Sequence, residues 1–164
     1  MSTIDQFVDA NRQFAEAFDR GDLPMPPTRK AAVVVCMDAR LDPARFLGLD
    51  IGDAHVIRNA GGRASDDAIR SLIISSRLLG TNAFAVVHHT DCGMLTFSND
   101  DLREKLRAET GEDASDVEFL PFTDLEESVR EDVRRIRESP FLDPGIPVRG
   151  FIYDVRTGLL SEVA

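Results

Sequence analysis

At 164 residues, with 43% hydrophobic and 29% charged residues, the chain has the composition of an ordinary globular domain and can bury a core without disulfides. Its formal net charge of −10 opposes binding to nucleic acid or to an anionic membrane surface. The first 20 residues lack the basic start and apolar run of a signal peptide, and no segment resembles a membrane-spanning helix. We therefore expect a single cytoplasmic domain over residues 1–164.

The amino-terminal segment carries an apolar stripe at helical spacing. The residues of this stripe are Ile4, Phe7, Val8, Phe14, Ala15 and Phe18. The spacing predicts an amphipathic helix, which Gly21 and the prolines within residues 24–27 should end. We expect residues 1–28 to form a helical arm and linker. The sequence leaves open whether this arm covers its own core or a neighbouring subunit.

Short apolar runs alternate with helical patterns along the rest of the chain. The runs cover residues 31–35, 54–57, 83–87 and 150–153. Runs of this kind are typical of strands buried in a parallel sheet. One helix is predicted from Ser65 to Gly80, and another follows Thr123 and Glu126, which have capping-box spacing. The order predicts an α/β fold with a mostly parallel central sheet flanked by helices.

Potential metal ligands follow two of these runs. Cys36 comes directly after the first run, and His89 and Cys92 follow the third. In parallel sheets the ligand site lies beyond the carboxyl ends of the strands. Two thiolates and one imidazole suit tetrahedral zinc, and three protein ligands leave a fourth position open, as in catalytic sites. The sequence therefore indicates a catalytic zinc site.

Other interpretations of these residues remain. Both cysteines can be small buried residues without a ligand role. His88 competes with His89 as a ligand, although alternation along a strand points the two side chains in opposite directions. We choose His89 for its position in the loop, and we expect His88 to be packed or hydrogen-bonded. His55 lies on an apolar run and is interpreted as a core residue.

Two further segments flank the proposed ligands. Asp38 and Arg40 lie close behind Cys36, where the pair can act on metal-bound water, although an ordinary surface salt bridge is the alternative. The segment RNAGG at residues 58–62 could cradle a phosphate, but the two aspartates that begin the next helix would repel it. We expect its glycines to permit a tight turn and a close approach of the backbone to the site.

These segments stand in the order found in one enzyme family. The stretches CMDAR at residues 36–40, RNAGG, and HTDCG at residues 89–93 resemble those of the β-class carbonic anhydrases, most closely the compact prokaryotic branch. The resemblance implies one zinc ion per chain on Cys36, His89 and Cys92. It also implies reversible hydration of carbon dioxide to bicarbonate and a proton, by attack of zinc-bound hydroxide that Asp38 and Arg40 orient. A homodimer or tetramer is implied as well.

Rival functions stay open at this stage. Hydrolysis of carbonyl sulfide or carbon disulfide would use the same zinc site, and pocket width would decide between the substrates. A non-catalytic zinc-binding or regulatory protein of the same fold would not need Asp38 or Arg40. A phosphate or nucleotide binder is disfavoured by the net charge of −10. Whether Asp38 takes the fourth zinc position at low pH is also open.

Overall fold

The computed structural model describes residues 2–164 and contains five α-helices and five strands. The helices are α1 (Thr3–Glu16), α2 (Pro43–Phe46), α3 (Asp66–Leu79), α4 (Asn99–Thr110) and α5 (Leu125–Arg137). The strands are β1 (Ala31–Cys36), β2 (Ala54–Asn59), β3 (Ala83–His89), β4 (Val148–Tyr153) and β5 (Leu160–Glu162). Short 3-10 turns at Ala60–Gly62 and Gly93–Leu95 follow β2 and β3. The predicted α/β class is confirmed.

One sheet runs through the molecule in the order β2-β1-β3-β4-β5. The strands from β2 to β4 are parallel, and β5 is antiparallel to β4. Because β1 and β3 are adjacent, with Val35 opposite Val87, their carboxyl ends meet at one edge of the sheet. Residues directly after β1 and residues directly after β3 therefore lie near one another at this edge.

Apolar side chains cover both faces of the central strands. On one face Val34 and Val86 pack with Leu72 of α3 and Val133 of α5. The other face packs against connecting segments, and its buried members are Val33, Val35, Cys36, Leu41, Val87, Cys92, Met94 and Phe122. Burial on both faces explains the continuous apolar runs of β1 and β3. The edge strand β2 is only partly covered, and its Val56 is exposed.

The helix boundaries follow capping chemistry. Ser65 caps α3 by accepting a hydrogen bond from the backbone of Ala68, and Gly80 ends the helix in a left-handed conformation, as predicted. The predicted cap of α5 is wrong by one residue. Asp124, not Thr123, accepts the hydrogen bond from the backbone N–H of Glu127 at 2.9 Å. An aspartate is as good a cap as a threonine, and it has a glutamate at the same spacing.

Three elements were not predicted from the sequence. The only apolar residues of helix α4 are Leu102, Leu106 and Ala108, so it lacks the broad apolar stripe that would have identified it. Helix α2 has four residues and β5 has three, which is too short for a periodic signal. Each of these elements lies outside the strands that carry the candidate ligands.

Helix α1 is present as predicted, and none of its residues is buried against the rest of the chain. Its apolar residues Phe7 and Phe14 are 63% and 54% exposed. Ser2 and Asp5 form a complete capping box at its start, so the helix is well formed at its amino end. Within residues 2–164, no helix combines the length and the apolarity needed to cross a bilayer.

Candidate metal centre

Three potential ligands converge where β1 and β3 end. Cys36 is the last residue of β1, His89 is the last residue of β3, and Cys92 begins the turn that follows. Their sulfur and ring-nitrogen atoms all lie within 4.8 Å of one another. All three residues are buried, with exposures of 3%, 0% and 4%. The structure therefore brings together the set that the sequence selected.

The donor atoms fit a zinc ion. The His89 Nδ1 atom donates a hydrogen bond to the backbone carbonyl of Thr90 at 2.8 Å, since a carbonyl can only accept. The other ring nitrogen, Nε2, is buried and has no hydrogen-bond partner in residues 2–164. The lone pair of Nε2 lies close to the two sulfur atoms. A buried polar atom without a partner costs free energy, and a bound metal ion would remove that cost. The Cys36, His89 and Cys92 side chains can thus coordinate one zinc ion.

The electrostatics of the two thiols also suit a cation. A hydrogen bond from Cys92 lowers the pKa of Cys36 to about 4. The same interaction with Cys36, together with burial, raises the pKa of Cys92. The two shifts run in opposite directions because a thiol at Cys92 stabilises a thiolate at Cys36. A metal ion would likewise stabilise thiolates here.

Asp38 and Arg40 form a two-point ion pair at the edge of this cluster. Arg40 Nε donates to Asp38 Oδ1 at 2.9 Å, and Arg40 Nη2 donates to Asp38 Oδ2 at 2.8 Å. These hydrogen bonds hold the pKa of Asp38 well below its usual range. Asp38 Oδ2 lies 3.8 Å from His89 Nε2. The carboxylate therefore stays ionised and lies close to the unpaired ligand nitrogen.

The glycine turn brings its backbone against the strands, as the sequence predicted. Gly62 has φ +67°, and a Cβ there would lie 2.7 Å from the backbone nitrogen of Cys36 and 2.8 Å from the carbonyl oxygen of Val87. Arg58 at the end of β2 donates to the carbonyl oxygens of Cys36 and Asp38. Gly62 and Arg58 together fix the backbone that leaves β1.

The other two histidines have hydrogen-bond partners of their own. His88 is completely buried, with Nδ1 2.8 Å from Ser128 Oγ and Nε2 donating to Asp132 Oδ2 at 3.0 Å. Asp132 also forms an ion pair with Arg63 at 2.9 Å. His55 Nδ1 is 2.7 Å from the Ser75 hydroxyl. The prediction that His88 is packed or hydrogen-bonded is confirmed. The prediction that His55 is a core residue is wrong, because His55 is only half-buried on the edge strand β2, although Ser75 gives it a hydrogen-bond partner.

One contact at the site was not predicted. The exposed carboxylate of Asp91 accepts a hydrogen bond from Arg40 at 2.7 Å. Asp91 is 51 residues away from Arg40 in the chain, and no motif indicated this pairing. Its position between His89 and Cys92 was the only signal that could have identified it.

A cavity of about 380 Å³ opens beside the cluster. Cys36, Asp38 and Cys92 line one part of it, and most of the remainder is apolar, including Met94 and Phe97. A small apolar molecule in this cavity would lie next to the sulfur atoms.

Comparison with known proteins identifies the family. Residues 31–160 match the family model described as carbonic anhydrase. The chain is 49% identical to Beta-carbonic anhydrase 1 of Mycobacterium tuberculosis, with 99% of each chain covered. A Carbon disulfide hydrolase of Acidithiobacillus thiooxidans is 32% identical over 86% of this chain and 80% of that protein.

Solved structures agree with the sequence comparison. A crystal structure of carbonic anhydrase from Streptococcus mutans superimposes with a TM-score of 0.96 at 49% identity, covering 100% of this chain and 99% of that one. Carbonic anhydrase from Glaciozyma antarctica gives a TM-score of 0.91 at 44% identity, with 100% of both chains covered. Since the fold, the ligand cluster and the whole length of the chain agree, this protein belongs to the β-carbonic anhydrase family.

Proposed function

We propose that this protein catalyses the reversible hydration of carbon dioxide to bicarbonate and a proton. The observation that carries the proposal is the unpaired His89 Nε2, buried between two thiols where the two central strands end. When bound, zinc would act as a Lewis acid that makes water a nucleophile near neutral pH. Cys36, His89 and Cys92 are proposed as its ligands, one ion per chain.

The Asp38 and Arg40 pair is proposed to orient the reacting water. Asp38 Oδ1 accepts two hydrogen bonds from Arg40, through the backbone N–H and Nε, whereas Oδ2 accepts one from Nη2. A carboxylate oxygen has two lone pairs, so Oδ2 keeps one free to accept a hydrogen bond from water. Because Arg40 keeps Asp38 ionised, Asp38 orients the water and does not store its proton. The proton released in each turnover passes to solvent buffer.

The cavity beside the cluster supports a small apolar substrate. Carbon dioxide would lie against Met94 and Phe97, with its carbon facing the water held by Asp38. Hydrolysis of carbon disulfide is the alternative, and the relative with 32% identity favours it. The 49% identity to a β-carbonic anhydrase over 99% of the chain favours hydration.

A stopped-flow indicator assay of carbon dioxide hydration tests the function. Zinc-loaded protein should be active, stripping with a chelator should abolish the rate, and adding zinc back should restore it. Cys92→Ser should bind little zinc, whereas His55→Gln, the control at a histidine bonded to Ser75, should keep it. A full rate after complete removal of metal would contradict the proposal. Release of sulfide from carbon disulfide with a higher kcat/KM would favour the alternative.

We also propose that the protein assembles as a homodimer or tetramer. Residues 1–164 are proposed to form a single domain, in which residues 1–28 are an amino-terminal helical arm and linker. Support comes from the exposed apolar face of α1, which no other part of residues 2–164 buries. Deleting residues 1–20 should weaken the assembly in light scattering. A full-length monomer at micromolar concentration would contradict the oligomer.

The cytoplasm is the proposed location. Both cysteines are free thiols, although their sulfur atoms lie within 4.8 Å of each other. Free thiols used as metal ligands persist in a reducing compartment. Fractionation of the source cells should recover the zinc-loaded protein with cytoplasmic markers, and recovery with the membrane or the external medium would contradict this location.

A further inference from the structure

Arg40 contacts two loops of the site. On one side it donates to Asp38 through its backbone N–H, Nε and Nη2. On the other side Nη1 donates to Asp91 Oδ2 at 2.7 Å, and Nη2 donates to the Asp91 carbonyl oxygen at 2.9 Å. Asp38 lies in the loop after Cys36, the last residue of β1, and Asp91 precedes Cys92 in the loop after β3. The guanidinium therefore bridges the two loops that adjoin the thiols.

The backbone of Asp91 adopts a left-handed conformation, with φ +56°. Few non-glycine residues adopt this conformation, although aspartate and asparagine tolerate it better than most. In it, the carbonyl and the carboxylate of the same residue reach one guanidinium. The hydrogen bonds to Arg40 thus depend on this conformation.

Burial does not explain the contact, because the Asp91 side chain is 75% exposed and that of Arg40 is 46% exposed. Ion pairs this exposed contribute little to the free energy of unfolding. Without Asp91, however, Asp38 would be the only partner that residues 2–164 offer the guanidinium, and it lies two residues away on the same loop. The effect of Asp91 should therefore fall on the placement of Arg40 and not on stability.

We propose that Asp91 is a positioning residue, which fixes Arg40 and, through it, the orientation of Asp38 and the spacing of the two loops that adjoin the thiols. The inference rests on the proposed hydration function. Asp91 does not contact the reacting atoms, and its influence passes through Arg40 alone.

The test uses two substitutions that both tolerate the left-handed backbone. Asp91→Gly removes the carboxylate, whereas Asp91→Asn keeps an oxygen that can accept from Arg40. Lys30→Gly is the matched control, since Lys30 also has a positive φ, +49°, away from the site. For each zinc-loaded variant we would measure kcat for hydration, the rate of zinc transfer to a chromophoric chelator, and the midpoint of thermal unfolding.

We expect Asp91→Gly to lower kcat and to speed zinc transfer, each about 3- to 10-fold, with little change in thermal midpoint. Asp91→Asn should lie between this variant and the wild type, and Lys30→Gly should match the wild type. In an Arg40→Ala background, Asp91→Gly should have no further effect. This lack of additivity is the result that a purely structural role would not give.

Wild-type kcat and zinc transfer in Asp91→Gly would overturn the proposal. An equal loss in the Arg40→Ala background would also overturn it, because Asp91 would then act by another route. If zinc-loaded wild type fails to hydrate carbon dioxide, the proposed function fails, but the zinc-transfer rates still decide the role of Asp91. The two failures can therefore be told apart.

Discussion

His88 and His89 are neighbours in β3, yet their surroundings differ completely. Both are fully buried. Both ring nitrogens of His88 have partners, in Ser128 and Asp132, whereas His89 has one partner and leaves Nε2 unpaired. On the face of β3 toward α5, protein atoms therefore satisfy both ring nitrogens of the histidine. On the opposite face, one ring nitrogen lacks a partner that a metal ion could supply. An unpaired buried nitrogen, and not the residue type, distinguishes the candidate ligand from the structural histidine.

The largest difference between the two histidines should appear in zinc content when each is replaced with glutamine. His89→Gln should lose most of its zinc, because an amide is a poor ligand for zinc beside thiolates. His88→Gln should retain close to one zinc per chain. Metal analysis after gel filtration measures both.

In metal-stripped protein, His88→Gln should be the more damaging of the two variants, as judged by the free energy of unfolding. There His89→Gln should lower the free energy of unfolding less than His88→Gln, because it removes one paired ring nitrogen, Nδ1, and not two. His88→Gln should lose about 1–3 kcal/mol, because a buried partner is left unpaired. Denaturant unfolding gives these values. Equal zinc loss in both variants would show that the two faces are not functionally distinct.

The sequence was informative about the ligand face because its signals are local. Cys36 directly follows one apolar run, and His89 and Cys92 lie close together in sequence just after another. Alternation along the strand indicated that only one of the two histidines could be a ligand. The choice of His89 rested on an expected loop position, whereas the structure makes it the last residue of β3. The adjacency of β1 and β3 was not a local signal. The α/β pattern predicted a mostly parallel sheet, and the structure shows that these two strands are neighbours in it.

The opposite face could not be predicted in the same way. The partners of His88 lie 40 and 44 residues further along the chain, on α5, and no local spacing relates them to β3. The Arg40 contact with Asp91 escaped prediction for the same reason. Sequence patterns identified residues that share an element or a loop, whereas pairings across the fold required coordinates.

A smaller effect is expected at Gly62, where the ligand face depends on close backbone contact. Gly62→Ala would place a Cβ 2.7 Å from the Cys36 nitrogen at a positive φ. Gly80→Ala is the matched control, since Gly80 has φ +73° and nothing within 4 Å of its Cβ position. The control should lose about 1 kcal/mol from its backbone conformation alone.

Gly62→Ala should lose about 1–3 kcal/mol more than Gly80→Ala, because its neighbours are backbone atoms that cannot move aside easily. It should also speed zinc transfer to a chelator, since displacing the Cys36 backbone moves a ligand. Denaturant unfolding and chelator kinetics measure the two effects. If Gly80→Ala released zinc as fast as Gly62→Ala, the close approach would have no part in holding the site.

The smallest effect is expected on the face toward α5, at Ser128. Its hydroxyl lies 2.8 Å from His88 Nδ1 and also donates to the carbonyl oxygen of Leu125, inside a buried part of α5. Ser128→Ala removes both contacts and leaves one imidazole nitrogen unpaired, so the free energy of unfolding should fall by about 1–3 kcal/mol. Ser115→Ala, at an exposed serine, is the control and should change it by less than about 0.5 kcal/mol.

Zinc content and the hydration rate of Ser128→Ala should match the wild type at a temperature where both are folded. This follows because His88 keeps its hydrogen bond to Asp132, and Asp132 keeps its ion pair with Arg63. The remaining contacts still hold the strand that carries His89. A loss of zinc in Ser128→Ala without a loss of stability would mean that the hydrogen bonds behind β3 act on the ligand itself, and the division between the two faces would then be wrong.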